Sequence, residues 1–232
     1  MPAPPFARPE RPTVFLFDID GTLVIGGGGR RAIERALAIV TGAETARTSF
    51  SFGGMTDRAI ARRALAELGL EPTAAAIARV LELYLPFLHE ELAEATPPCN
   101  VPPGALAALE RTSRLERAAI GLGTGNIEAG ARAKLGRVGL EQRFAFGGFG
   151  CDHEERAELL RIGAARGAAR LGAAPEACRV VVIGDTPLDV AAAHAIGAEC
   201  VAVATGSYGR AELAACGPAF TCERLDELLG EL

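Results

Sequence analysis

Lysine is almost missing from this chain: Lys134 is the only one among 232 residues, and arginine supplies the remaining positive charge. No run of basic residues occurs, and the formal net charge at pH 7 is −5. Surfaces that bind nucleic acid are rich in Lys and Arg. The composition therefore argues against a nucleic-acid partner.

Long apolar segments are also missing. No stretch approaches the roughly 20 apolar residues that a membrane-spanning helix needs, and the proline-rich residues 1–12 are not expected to be a secretory signal. We expect these twelve residues to form a loose tail. The expected setting is the cytoplasm, with no membrane partner.

Paired cysteine motifs and spaced histidines are absent as well. The six cysteines are scattered without a C-x-x-C pair, which favours reduced thiols and disfavours zinc. Cys178 and Cys200 border apolar runs and are expected to be core side chains. His89, His153 and His194 show no metal-ligand spacing, so structural or exposed positions are expected.

What the sequence does contain is a short apolar run that ends in two carboxylates. Residues 13–17 predict a buried strand, and Asp18, Asp20 and Gly21 follow it. Side chains at i and i+2 share one side of a strand, so the two carboxylates are expected to face the same way. Such a pair resists ionising together unless a cation lies between them or one keeps a proton. The alternative is an ordinary polar turn.

A glycine-rich stretch and three helices come next. The four glycines at 26–29 predict a hinge or a closely approached loop, and no G-K-[ST] follows them to favour a phosphate-cradling loop. Residues 30–95 have helical periodicity without an intervening strand. The predicted helices are one ending near Gly42, one over 57–68 with Thr56 as N-cap, and one beginning after Thr73.

Strands and helices alternate in the remainder of the chain, which predicts a parallel sheet covered on both faces. The predicted strands are 118–122, 143–149, 179–183 and 199–204, and the predicted helices end near 138, 171, 196 and 229. Ligands of such sheets bind beyond the carboxyl ends of the strands. Asp18 and Asp20, Thr124, and Asp185 and Asp189 follow three different strands, so we expect them to converge.

Three segments resemble the first, second and fourth motifs of the haloacid dehalogenase-like hydrolase superfamily. They are FDIDGTL at 17–23, GTGN at 123–126 and IGDTPLD at 183–189, in the order that the superfamily has them. The resemblance implies an α/β fold: a Rossmann-like parallel-sheet core with an inserted all-helical cap domain. We accordingly predict a core of residues 13–25 and 98–232, a cap of 26–97 and a tail of 1–12.

The resemblance implies roles for the first pair of carboxylates. Asp18 is implied to attack phosphorus and form an aspartyl-phosphate. Asp20 is implied to protonate the leaving oxygen and then to deprotonate the hydrolytic water. Superfamily members that break carbon–halogen or carbon–phosphorus bonds differ at this second position, so Asp20 favours a phosphate ester as substrate.

The resemblance also implies a Mg²⁺ site made by Asp18, the backbone carbonyl of Asp20, and Asp185. Asp189 has two interpretations: it supports the metal, or it caps a helix for which Thr186 is the N-cap. We expect both, with Asp189 acting on the metal through water.

The second motif offers a phosphate cradle. Thr124 supplies a hydroxyl, and Gly125 and Asn126 supply backbone N–H groups at a helix start. The alternative is that Thr124 and Asn126 only cap the helix.

The third motif of the superfamily normally supplies a lysine, and here the chain departs from the pattern. Lys134 comes only ten residues after Thr124, which predicts that it is too early for this role. Arg156 has better spacing and is the candidate, although a solvated helix arginine is the alternative; Arg161 is a less suitable substitute.

Substrate choice is expected to lie in the cap. The cap loop, residues 52–58, resembles loops of phosphoglycolate phosphatase-like members, and Thr56 and Arg58 are its predicted substrate contacts. Alternatively Thr56 is only an N-cap, and Asp57 and Arg58 are surface charges. Arg30 and Arg31 are weaker candidates, as guards of the entrance.

The predicted function is a Mg²⁺-dependent phosphatase, a monomer or homodimer, that acts on a small phosphorylated metabolite: a phosphoglycolate-like compound, a sugar phosphate or a nucleotide. A phosphomutase of the same superfamily and a non-catalytic phosphate-binding protein are the alternatives.

Overall fold

Short apolar runs of the sequence form one parallel sheet. A computed structural model describes residue 6 and residues 10–95 and 98–229. The strands are β1 (Thr13–Phe17), β2 (Ala118–Thr124), β3 (Gly147–Phe149), β4 (Arg179–Gly184), β5 (Glu199–Val203) and β6 (Phe220–Cys222). Their order is β3-β2-β1-β4-β5-β6, and all neighbouring pairs are parallel. The predicted α/β fold is confirmed.

The helices of the described residues alternate with these strands or lie between the first two. They are α1 (Gly29–Thr41), α2 (Asp57–Glu67), α3 (Ala74–Glu94), α4 (Ala105–Ser113), α5 (Glu128–Arg137), α6 (Arg156–Arg170), α7 (Pro187–Ala195) and α8 (Arg210–Ala215). Strands β2 and β3 lie on one side of β1, and β4, β5 and β6 lie on the other. The carboxyl ends of β1 and β4 therefore flank a topological switch point.

Alternation along β1 explains how the sheet is covered on both faces. Phe15 and Phe17 pack with α4 and α5, whereas Val14 and Leu16 pack with α6, α7 and α8. All four side chains are fully buried. Burying each one stabilises the fold by roughly 1.5–3 kcal/mol, which fixes the register that aims the residues after Phe17 at the sheet edge.

Helices α1, α2 and α3, called the cap helices below, bury a separate apolar cluster. Its members include Ile33, Leu37, Leu65, Val80 and Leu88. The predicted N-cap Thr56 is confirmed, since its Oγ1 accepts from Ala59 N at 3.2 Å. At the start of α3, Thr73 Oγ1 likewise accepts from Ala76 N at 3.1 Å. The division of the chain at 25/26 and 97/98 stays a prediction, and Pro97 lies outside the described residues.

Several sequence predictions need correction. The predicted helix over 224–229 is a short 3₁₀ turn, Leu225–Leu228, and only Gly147–Phe149 of the predicted strand 143–149 is a strand. Within the predicted loose tail, Phe6 is fully buried and stacks on Phe15 with ring centroids 6.0 Å apart. Residues 1–5 and 7–9 lie outside the described residues. No helix among the described residues has the length and apolar character needed to cross a membrane.

Candidate active site

The turns after β1 and β4 are interlocked at the switch point. Gly21 has φ +80°, and a Cβ there would lie 2.2 Å from Asp185 Oδ2. Only glycine therefore permits this turn and this close approach. Thr22 Oγ1 donates to Asp185 Oδ1 at 3.2 Å, and Asp18 N donates to the Ile183 carbonyl at 2.8 Å.

Three buried carboxylates meet here: Asp18, Asp185 and Asp189 each offer an oxygen, and these oxygens lie within 4.8 Å of one another. Burial raises the pKa of Asp18 to about 6, although the Arg156 charge opposes the shift. Burial together with the charges of Asp18 and Asp189 raises the pKa of Asp185 to about 8. Hard oxygen donors whose charges repel one another fit a Mg²⁺ ion, which prefers such ligands and relieves the repulsion.

Asp189 is the helix cap that the sequence predicted. Its Oδ2 accepts from Thr186 N at 3.0 Å and from Thr186 Oγ1 at 2.7 Å, which completes a capping box at the start of α7. Its Oδ1 accepts a short hydrogen bond from Arg156 Nη2. Because both oxygens already have donors, a contribution to a metal through water remains a prediction.

Arg156 lies beside the predicted nucleophile. Its Nη2 is 2.9 Å from Asp18 Oδ2, and its Nη1 donates to the Gly54 carbonyl of the cap loop at 3.2 Å. Burial lowers the pKa of Arg156, but the charges of Asp18 and Asp189 outweigh that effect and raise it overall. The alternative of a solvated arginine is excluded, because Arg156 is buried. Arg161 instead donates to the Ala195 carbonyl on the exposed side of α6.

Lys134 is in the site, where it contacts Asp20, whereas the cation beside Asp18 is Arg156. Its Nζ donates to both carboxylate oxygens of Asp20, at 2.8 and 2.7 Å, and to Asn126 Oδ1 at 2.7 Å. Lys134 lies roughly 9 Å along the helix axis from Glu128, the first residue of α5. Helical side chains point back toward the N-terminus, so its long stem spans that distance.

Thr124 supports Asn126 and does not reach the cavity of the site. Its Oγ1 accepts from Asn126 Nδ2 at 2.9 Å and from Asn126 N at 3.3 Å, and the residue is fully buried. Asn126 Nδ2 also donates to Asp20 Oδ2 at 2.8 Å. The predicted direct phosphate contact of Thr124 is therefore replaced by a supporting role, whereas Gly125 and Asn126 do line the cavity.

The cavity lies between the sheet edge and the cap helices and has a volume of about 250 Å³. Asp18, Asp20, Lys134, Arg156 and Asp185 line it from the core. The cap side contributes apolar side chains from Ile33, Phe52, Met55 and Ile60, and polar ones from Arg30, Asp57 and Tyr84. The cavity thus joins the convergent strand ends to a largely apolar roof.

The two predicted cap contacts, Thr56 and Arg58, do not line this cavity. Thr56 Oγ1 caps α2 and donates to the Glu154 carbonyl at 2.9 Å, so its hydroxyl is already used. Arg58 follows Asp57 by one residue, about 100° around the helix, and Asp57 takes the position facing the cavity. Arg31 is also elsewhere, with its Nε 2.5 Å from Glu91 Oε2.

Asp57 is buried, so its interpretation as a surface charge is wrong. Its Oδ2 accepts from Ile127 N at 2.8 Å, and burial raises its pKa to about 6 despite the nearby Lys134 charge. Sequence reasoning also missed Tyr84. Its helical spacing resembles that of core residues, and nothing in the sequence distinguishes a core tyrosine from one whose hydroxyl faces a cavity.

Comparisons with known proteins identify the family of the chain. The family model of haloacid dehalogenase-like hydrolases matches residues 15–194, and a second, HAD-hydrolase-like model matches residues 162–228. No curated protein sequence matches the chain.

Solved structures share the fold over nearly the whole chain. CbbY from Rhodobacter sphaeroides in complex with phosphate has a TM-score of 0.69 and 18% identity, covering 93% of this chain and 95% of its own. A predicted phosphatase from Clostridium acetobutylicum has a TM-score of 0.68 and 16% identity, covering 95% and 97%. A predicted phosphoglycolate phosphatase from Haemophilus somnus has a TM-score of 0.67 and 17% identity, also covering 95% and 97%.

Proposed function

Because the chain belongs to the haloacid dehalogenase-like hydrolase family, we propose that it is a Mg²⁺-dependent phosphatase acting on a small phosphorylated metabolite. One observation carries the proposal: Asp18, paired with Arg156 at 2.9 Å, lines the same cavity as Asp20 and lies in a cluster of buried carboxylates. This arrangement supplies a nucleophile, an acid and base, and hard ligands for a cation.

In the first step, an oxygen of the Asp18 carboxylate attacks the phosphorus of the ester. The bond from phosphorus to the alcohol oxygen breaks, and protonated Asp20 gives its proton to that oxygen. The alcohol therefore leaves neutral, and Asp18 carries the phosphoryl group as an aspartyl-phosphate. Arg156 holds the Asp18 carboxylate in one orientation through the Nη2 contact.

In the second step, a water molecule attacks the phosphorus of the aspartyl-phosphate. Its proton passes to the Asp20 carboxylate, and the bond between phosphorus and Asp18 breaks. Inorganic phosphate leaves, and both carboxyl groups return to their starting states. Lys134 and Asn126 hold the Asp20 side chain through both steps, since each donates to its carboxylate.

The residues that would hold Mg²⁺ are Asp18, Asp185 and the backbone carbonyl of Asp20, with Asp189 acting through water. The ion would offset the negative charge of the phosphate as it approaches these carboxylates. The donor set fits this ion because all the groups offer hard oxygen atoms.

The volume of the cavity favours a small substrate. About 250 Å³ is below the roughly 300–1,000 Å³ of sites that take drug-sized ligands. A triose phosphate or a compound of similar size is therefore proposed over a nucleotide.

The test is release of inorganic phosphate from a panel of phosphorylated metabolites, with Mg²⁺ and with excess chelator. We expect release only with Mg²⁺, and its loss by at least about a hundredfold in Asp18→Asn. Asp226→Asn is the control, because Asp226 forms a surface pair with Arg224. Full turnover in Asp18→Asn would contradict the mechanism, positional isomers as product would indicate a phosphomutase, and no turnover of any ester would favour a non-catalytic binding protein.

A further inference from the structure

Two polar groups in the cap wall of the cavity have no hydrogen-bond partner among the described residues. They are Asp57 Oδ1 and Tyr84 Oη; the other Asp57 oxygen accepts from Ile127 N at 2.8 Å. Asp57 is 5% exposed and Tyr84 is 1% exposed, yet both line the cavity. Buried polar groups normally find partners, so this pair is available to a ligand.

Tyr84 Oη lies near Lys134 Nζ, and Asp57 lines the same cavity. A Cβ built at Gly29 would lie 3.4 Å from Lys134 Nζ and 3.9 Å from Tyr84 Oη. The charges of Asp57 and Asp20 add to burial in raising the pKa of Tyr84, so the phenol stays protonated. The wall therefore presents one carboxylate acceptor and one phenol that donates or accepts.

The cations of the cavity are already engaged. All three hydrogens of Lys134 Nζ are matched by oxygens of Asp20 and Asn126. Arg30 donates to Thr48 Oγ1 at 2.8 Å and to the Phe50 carbonyl at 2.7 Å. Arg156 lies beside Asp18, at the position of the phosphate. A second anionic group on the substrate would thus meet Asp57, while Lys134, Arg30 and Arg156, the cations that line the cavity in the described part of the chain, already have oxygen partners.

We infer that the leaving group is a small uncharged alcohol with a further hydroxyl, which donates to Asp57 and accepts from Tyr84. This inference rests on the proposed phosphatase function and identifies its substrate class. Apolar side chains from Ile33, Ile60 and Phe52 line the rest of the roof and suit a short carbon skeleton. A carboxylate such as that of phosphoglycolate is repelled by Asp57, and an ammonium group donates to Asp57 but has no lone pair to accept from Tyr84.

The experiment compares kcat/KM for four esters of similar size: 2-hydroxyethyl phosphate, ethyl phosphate, phosphoglycolate and 2-aminoethyl phosphate. For the wild-type protein with Mg²⁺, we expect the hydroxyethyl ester to exceed each of the others by about tenfold or more, because a site built to bind a hydroxyl discriminates strongly against analogues that lack it. A preference for phosphoglycolate or for the amine would overturn the inference.

Two variants test whether Tyr84 and Asp57 cause the preference for the hydroxyethyl ester. Tyr84→Phe and Asp57→Asn should each lower kcat/KM for the hydroxyethyl ester by about tenfold more than they lower kcat/KM for ethyl phosphate. Asp57→Asn should also reduce the ratio of kcat/KM for the hydroxyethyl ester to kcat/KM for phosphoglycolate. Tyr208→Phe is the matched control, since Tyr208 does not line the cavity, and thermal unfolding checks that each variant is folded.

The outcomes separate this inference from the proposed function. If both variants lose activity equally on ethyl and hydroxyethyl phosphate, the hydroxyl subsite is refuted and the phosphatase stands. If the wild-type protein releases no phosphate from any ester, p-nitrophenyl phosphate included, both are refuted.

Discussion

Lys134 contacts the side chain of Asp20, and both residues line the cavity. Lys134 is 4% exposed, and its three donors hold Asp20 and Asn126, while Asn126 donates to Asp20 from another direction. A carboxylate held by two groups has little freedom to rotate. General acid catalysis depends on the proton being aimed at the leaving oxygen, so we propose that the lysine is a positioning residue for Asp20.

Replacing Lys134 should therefore lower kcat most for esters with poor leaving groups. We expect Lys134→Met to lower kcat by at least about tenfold for an alkyl phosphate, which needs a proton on departure, and by much less for p-nitrophenyl phosphate, which does not. The measurement is kcat and KM for both esters. Arg137→Met, one turn further along α5, is the control. Equal losses on the two esters would show a purely structural role.

The positions of Asp18, Asp185 and Asp189 were predictable because strand ends of a parallel sheet share one edge. Lys134 and Asp57 were not, because their places depend on how α5 and α2 dock at that edge. Spacing along a chain does not carry that information. The distance of ten residues from Thr124 suggested only that Lys134 comes too early for the third-motif role, and did not show that the helix brings its side chain back to Asp20.

Hydrogen bonds from both the backbone and the side chain of Asp57 connect the cap loop to the loop after β2. Asp57 N donates to the Gly125 carbonyl at 2.8 Å, and Asp57 Oδ2 accepts from Ile127 N at the same distance. A Cβ at Gly125 would lie 2.2 Å from the Met55 carbonyl oxygen. The first residue of α2 therefore serves as a junction between cap and core, at the cost of burying a carboxyl group.

This buried carboxyl should make stability depend on pH. Burial raises the pKa of Asp57 from 3.8 to about 6, so folding takes up a proton between these values and the contribution of Asp57 to stability falls as pH rises through that window. The full change in the free energy of unfolding across this window is roughly 3 kcal/mol. The free energy of unfolding of Asp57→Asn, relative to wild type, should therefore increase from pH 4 to pH 7 in urea titrations.

Asp152→Asn provides a control of opposite sign. Its side-chain hydrogen bond with Arg166 holds the pKa of Asp152 below its usual range, although burial opposes this. A lowered pKa contributes stability at higher pH that is lost on acidification. Relative to wild type, this variant should therefore lose stability as pH rises toward 3.8, the ordinary pKa of the group, and change little from pH 4 to pH 7. Parallel trends in the two variants would contradict the assigned burial of Asp57.

Elements with strong sequence patterns were predicted well, and short ones were not. The apolar run of β1 and the N-cap Thr56 mark their elements locally. β6 has three residues and α8 has six, which is too short for a periodicity to be recognised. Contacts with the rest of the sheet stabilise β6 and α8, and these contacts cannot be read from the local sequence.

At the scale of the whole molecule, the site combines distant parts of the chain into one charged cluster. Asp18, Asp185 and Asp189 are contributed by turns that are about 170 residues apart in sequence, and Arg156 is the cation paired with two of them. Three buried carboxylates beside one guanidinium leave an excess of negative charge. Folding tolerates that excess because the turns are locked by Gly21 and by the Thr186 capping box.

A divalent cation should therefore stabilise the folded protein. Mg²⁺ that binds only the native state adds about 2.7 kcal/mol at a concentration one hundred times its Kd, so Tm of the wild-type protein should rise with added Mg²⁺ and return on chelation. In Asp185→Asn the rise should be largely lost, because a ligand is removed. The same variant without Mg²⁺ should be at least as stable as wild type, since its amide relieves the repulsion that burial imposes on Asp185.

If Mg²⁺ bound only to surface carboxylates, replacing any one of them would change the Mg²⁺-dependent rise in Tm to a similar extent. Asp226→Asn, which alters an exposed carboxylate, should keep the full Mg²⁺-dependent rise in Tm. If Asp185→Asn keeps it too, the buried cluster does not bind the ion. If Asp185→Asn without Mg²⁺ is instead much less stable than wild type, the hydrogen bond from Thr22 to Asp185 outweighs the repulsion. The two comparisons together separate metal binding from the charge balance of the fold.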